Sequence, residues 1–178
     1  KVLNSEEILF FYQTFIQKVK FTFQDLNELL YDTLLLEDII IEYKTKDQVC
    51  EGFLDSFLKF IIKWEGSCSD KVTCLIKEID ALVLSRGSER FFKEDISDNE
   101  KITNQEIEAF QKLAHQINAS QDRVLRGIFS FDFHTTLSGN AEKVDLKSDG
   151  ERNKIFSKEG YIIINCKFEV KKIKKCNF

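Results

Sequence analysis

Three residue types of a hydrolytic triad stand at alternate positions in one short stretch, as Ser130, Asp132 and His134. A triad works only when nucleophile, base and orienting acid are in hydrogen-bond contact. Residues two apart on a strand lie about 6.5 to 7 Å apart with side chains parallel. The stretch IFSFDFHTTL (128–137) alternates apolar with polar, so its polar residues are expected on the solvated face of a strand. Asp132 and His134 keep one chemical use, as polar handles of a small-ligand pocket between sheet and helices.

Other chemistry finds less support. The chain has two histidines, and His115 sits away from the apolar stripe of its helix, so no metal site is expected. Neither GxxxxGK[ST] nor GxGxxG occurs, and no cofactor is expected. The acids Glu6, Glu7, Glu28, Glu37, Asp38, Asp55, Glu78 and Asp80 fall mostly opposite apolar stripes or at helix starts, where solvation and the dipole suit them. The five cysteines, Cys50, Cys68, Cys74, Cys166 and Cys176, form no CxxC pair. They read as reduced thiols of a cytoplasmic or nuclear protein. The alternative is a secreted protein with a Cys68–Cys74 disulfide and a glycan at Asn118 in the sequon Asn118-Ala119-Ser120.

Charge is unevenly placed. From residue 161 to 178, Lys167, Lys171, Lys172, Lys174 and Lys175 face one acid, Glu169, giving +4; with a net charge of -4, the rest carries -8. An acidic body repels phosphate, so nucleic acid or anionic lipid is expected only at the lysine-rich C-terminus. No apolar run is long enough for a membrane helix, and a chain starting at Lys1 reads as a mature, trimmed or excised segment.

The elements that hold these residues show two periodicities. Up to about residue 120 the apolar period is helical. It predicts helices over 5–20, 23–43, 47–64, 70–86 and 104–118, with Gly66 and Gly87 as stops. Thr22 with Asp25, and Thr103 with Glu106, have capping-box spacing. Each is flanked by a staple pair, Phe21 with Leu26 and Ile102 with Ile107. The second helix is apolar around most of its circumference at Leu34–Leu36 and Ile39–Ile41, which marks a helix central in its bundle or facing a second partner. Past Arg126 the period becomes two. Strands are expected at 128–137, 143–147, 155–156 and 161–173, joined by turns at Gly139-Asn140 and Asp149-Gly150. No internal repeat is visible.

The expected fold is α+β: an N-terminal bundle of about five helices (1–122) on a C-terminal antiparallel β-meander of three to four strands with a basic tail (123–178), sharing one core. At 43% hydrophobic over 178 residues, the chain can bury such a core. Burying the Phe129, Phe131, Phe133, Ile164 and Phe168 face against the helices is worth on the order of 10 kcal/mol, so that face is expected inside. The function expected is a non-enzymatic protein–protein interaction module or complex subunit, binding a protein partner or itself. Its surface would comprise Leu35 and Ile39 of the second helix with Lys171, Lys172, Lys174 and Lys175. A ligand binder or enzyme using the pocket, and a membrane-active protein using amphipathic hairpins, are the alternatives.

Overall fold

In the computed structural model, which describes residues 5–30, 34–66, 69–87, 100–127 and 132–170, helix α1 (Ser5–Leu29) does not run on through LLLEDIIIEYKT. That run is strand β1 (Leu34–Thr45). Ile39, Ile40 and Ile41, followed by Tyr43 and Thr45, are stiff or bulky near Cβ and suit extended backbone. The apolar circumference expected of a central helix is instead the two faces of a strand. Thr22, expected as a cap, lies inside α1 and donates its hydroxyl to the Lys18 carbonyl at 3.5 Å.

The same correction applies twice more. The expected third helix is a short helix α2 (Lys46–Gly52) and strand β2 (Ser56–Glu65). The expected fourth is strand β3 (Asp70–Lys77) and helix α3 (Glu78–Gly87). Aromatic and β-branched residues crowd β2, where Phe57, Phe60, Ile61, Ile62 and Trp64 fall within ten positions. The fifth expectation holds, and helix α4 runs further, over Asn104–Arg126. Its capping box is formed: the Glu106 N–H donates to Thr103 Oγ1 at 3.3 Å and the Thr103 N–H to Glu106 Oε2 at 2.8 Å. A second box, Thr45 with Gln48, starts α2.

Strands β4 (His134–Leu137) and β5 (Glu142–Asp145) follow, then helix α5 (Asp149–Ile155) and strand β6 (Gly160–Val170). Asp149-Gly150 opens α5 rather than a hairpin, and 155–156 is its end rather than a strand. Asp149 and Glu151 in the first turn with Arg152 and Lys154 in the last suit the helix dipole. Arg152 donates to the carbonyls of Leu146 and Lys147 beneath it.

The fold is α+β with antiparallel sheets, but helices and strands are interleaved, so among the described residues neither the N-terminal helical bundle nor the meander forms. β1 pairs with β6 over the full run from Leu34↔Val170 to Thr45↔Gly160, with a bulge at Glu37. β2 pairs with β3 on one edge and with β4 and β5 in turn on the other. Gly66, at φ 106°, ends β2 where a Cβ would collide with the Asp132 carbonyl.

This pairing reveals a repeat of element order that the sequence hides. A long helix, a strand region, a seven-residue helix and a strand occur as α1, β1, α2, β2 and again as α4, β4–β5, α5, β6. Each half lends its second strand to the other half's first. The long helices meet through small polar groups: Ser120 Oγ lies 3.4 Å from Thr22 Oγ1 and donates to Asp25 Oδ2 at 2.6 Å.

The core follows from strand alternation. Leu58, Phe60, Ile62 and Trp64 face α1, α3 and α4, with Phe110, Leu113 and Phe133. Phe133 meets Trp64 edge-on at 5.8 Å, and Phe168 of β6 meets Phe23 of α1 at 5.9 Å. Phe129 and Phe131 lie outside the described residues. On the opposite sheet face Phe57 and Val144 join Val49, Leu146 and Phe156 under the two short helices.

Candidate interaction surface

The β1–β6 ribbon contributes to both clusters and still leaves apolar surface. In antiparallel register, Leu34, Leu36, Ile39, Ile41 and Tyr43 share a face with Val170, Phe168, Cys166, Ile164 and Ile162. Leu34, Ile164, Phe168 and Val170 from this face pack on the larger cluster. From the reverse face Tyr161 and Ile163 reach the smaller one. What remains is open: Leu35 (45% exposed), Ile40 (49%), Tyr43 (72%) and Ile162 (52%). The other exposed large apolar side chains among the described residues are Phe21 and Leu54.

The bulge at Glu37 shapes a cleft of about 320 Å³ between α1 and β1, lined by Ile16, Lys20, Leu36, Glu37, Asp38 and Ile39. Asp38 accepts the Ile39 N–H at 2.8 Å, which holds its carboxylate against the backbone. Lys44 pairs with Glu42 at 3.1 Å and Lys167 lies 3.9 Å from Glu37. Charges of both signs thus surround apolar positions.

Of the surface expected from sequence, Leu35 and Ile39 lie on a strand rather than a helix, on opposite faces: Leu35 exposed, Ile39 half-buried at the cleft. Lys171, Lys172, Lys174 and Lys175 lie outside the described residues. Asp132 and His134 are exposed, and neither lines the cleft. His134 Nε2 faces Glu65 at 3.3 Å; Ser130 lies outside the described residues. Ile40, Tyr43 and Ile162 escaped sequence reading. The β-branched triplet followed by Tyr and Thr was the signal that could have placed the first two on an open strand.

Among the described residues no three His, Cys, Asp or Glu side chains gather as a metal-binding group, and no helix is long and apolar enough to cross a membrane. Cys50, Cys74 and Cys166 are free thiols, and Cys68 lies outside the described residues. Burial lifts Cys74, aided by nearby Cys166, to about 12, and burial lifts Cys166 to about 11.

The sequence matches no protein-family model and no curated protein. Its structure does have counterparts. FliY of Thermotoga maritima superposes with a TM-score of 0.74 at 10% identity, over 98% of this chain and 88% of that one. This is a FliY-like fold. FliM of H. pylori, solved in complex with SpeE, gives 0.68 at 8% identity over 95% of this chain and 84% of that one. FliM in complex with FliG gives 0.67 at 8% identity, over 94% and 87%.

Proposed function

We propose that this chain is a non-enzymatic docking subunit of a larger assembly, binding a protein partner through the β1–β6 ribbon. The observation that carries this reading is the clustering of Leu35, Ile40, Tyr43 and Ile162 on one two-stranded element, four of the six exposed large apolar side chains among the described residues. Scattered singly, such residues mean nothing; gathered on one element and rimmed by charge, with Leu35 and Ile40 on one face of the ribbon and Tyr43 and Ile162 on the other, they mark a binding element. The fold supports the reading, because FliM, which shares it, has been solved bound to FliG and to SpeE. The lysines at 171, 172, 174 and 175 would steer an acidic partner toward the adjoining strand and add little to affinity once docked. Alternatively they would meet anionic lipid or nucleic acid.

The test is cross-linking of the tagged full chain in its native cells, followed by reconstitution of each captured complex from purified components. Leu35→Asp and Ile40→Asp should abolish the stoichiometric complex while shifting stability by no more than about 1 kcal/mol, as expected for exposed positions. Unfolding of both variants, or complexes unaffected by either, would overturn the reading.

A further inference from the structure

We propose that the partner completing the β1 edge is a second copy of this chain, joined strand to strand about a twofold axis centred on Ile41. The proposal rests on the docking-subunit reading and names one partner for it. β1 pairs only with β6 among the described residues, so no described strand lies along its other edge. The corresponding edge in the second half is closed: α4 lies over β4, with Asp122 accepting the Thr135 N–H at 2.6 Å and Asn118 donating to the Thr135 carbonyl at 3.3 Å. The strand region there is also broken at Gly139, whose φ is 79°. In β1 side chains accept the amides of Leu34 (Asn27 Oδ1, 2.7 Å), Ile39 (Asp38 Oδ1, 2.8 Å) and Thr45 (Gln48 Oε1, 3.0 Å), and the amides from Ile40 to Lys44 have no side-chain acceptor among the described residues. From Ile39 to Thr45 the strand is unbroken, without proline, and rich in β-branched residues, the kind of edge that accepts another strand.

The side chains specify the occupant. With Ile41 opposite Ile41 of the second copy, antiparallel pairing sets Ile39 against Tyr43 and Asp38 against Lys44, and the twofold axis repeats both matches. Apolar residues then meet on the cleft face, and on the reverse face Asp38 and Lys44 meet as opposite charges on either side of Ile40 set against Glu42. Sliding to the nearest in-phase registers, which keep each face together, sets Asp38 against Glu42 or Glu42 against itself. The strand is self-complementary in one arrangement and self-repelling in its immediate neighbours. The result would be a continuous sheet running β6, β1, then β1 and β6 of the second copy.

The experiment is sedimentation equilibrium of the full chain with four samples: wild type, Asp38→Lys, Lys44→Glu, and an equimolar mixture of the two variants. Thermal melts of each variant confirm folding. The wild type should show a concentration-dependent monomer–dimer equilibrium. Each variant alone should weaken it about tenfold, because two cross-strand attractions become repulsions. The mixture should recover the dimer: the lysine introduced at position 38 of one copy then meets the glutamate introduced at position 44 of the other, while the remaining native Asp38 and Lys44 still attract. A monomer at every accessible concentration, a dimer indifferent to both substitutions, or a mixture that fails to recover would overturn the proposal. If such a chain still loses a different protein partner on Leu35→Asp, self-pairing falls while the docking reading stands.

Discussion

The two halves of the molecule use the same order of elements for opposite ends. In the second half the strand region from His134 to Asp145 is divided, laid against β2 and roofed by α4. In the first half the matching strand β1 is one strand, bulged only at Glu37, beside β6 and leaves Leu35, Ile40 and Tyr43 in solvent. One half was finished as core and the other was left as surface. The contrast teaches that exposure here is a property of particular residues, since the same order of elements can be closed.

The largest effect that would break this comparison is in the covered sheet. Phe60→Ala, which removes the ring stacked edge-on with Phe110 at 6.0 Å, should cost about 3–5 kcal/mol in urea unfolding. Ile40→Ala on the ribbon should cost less than about 1 kcal/mol. Equal costs would mean that the ribbon is core after all. Next come the two glycines that shape the covered sheet, Gly66 at the end of β2 and Gly139 between β4 and β5. Gly66→Ala should cost about 2–3 kcal/mol, because both its φ of 106° and the Asp132 carbonyl oppose a side chain. Gly139→Ala, with open space around it at φ 79°, should cost about 1 kcal/mol.

A smaller effect concerns the start of α4. Burial alone would raise the Glu106 carboxyl, but hydrogen bonds from the Thr103 N–H, Arg86 and the Thr103 hydroxyl outweigh it and hold the group below the usual carboxylate range. The folded state therefore holds that proton less readily than the unfolded chain. Glu106 contributes stability above the usual carboxylate range, and this is lost as pH falls through the depressed value. Glu106→Gln should cost about 1 kcal/mol at pH 7 and flatten the acid limb of a stability–pH curve. The smallest effect leaves stability untouched. At pH 8 Cys74 and Cys166 should alkylate far more slowly in the native protein than in guanidinium, since few of either are thiolate. Fast labelling of Cys166 alone, read by peptide mass, would show the ribbon opening while the covered sheet stays shut.

What could be read from the sequence was what is written locally. The Thr103–Glu106 box places the start of α4 because both partners lie within one turn. The alternation in YIIINCKFEV places β6 because each strand face touches a different environment. LLLEDIIIEYKT misled because a strand with apolar residues on both faces has no alternation, and short apolar runs fit either period. β2 and β3 hid in the same way, with aromatic and β-branched content as the better guide. The pairing of β1 with β6 is invisible from either strand alone, because each carries only half of the match. Leu35 and Ile39, expected together in the surface of a helix, stand on opposite faces of a strand.

The exchange of strands between halves has a kinetic consequence. Every paired residue of β1 waits for one more than a hundred positions away, as Leu34 does for Val170, so the ribbon cannot form until most of the chain has been searched. Contacts this remote slow folding, because closure entropy is spent before any pairing repays it. Cut between α3 and α4, neither fragment should hold its full sheets alone, since among the described residues the first keeps only β2 with β3 and the second has no pairing of its own, yet the two together should. In effect the chain is a domain-swapped dimer whose two protomers have been tied into one polypeptide.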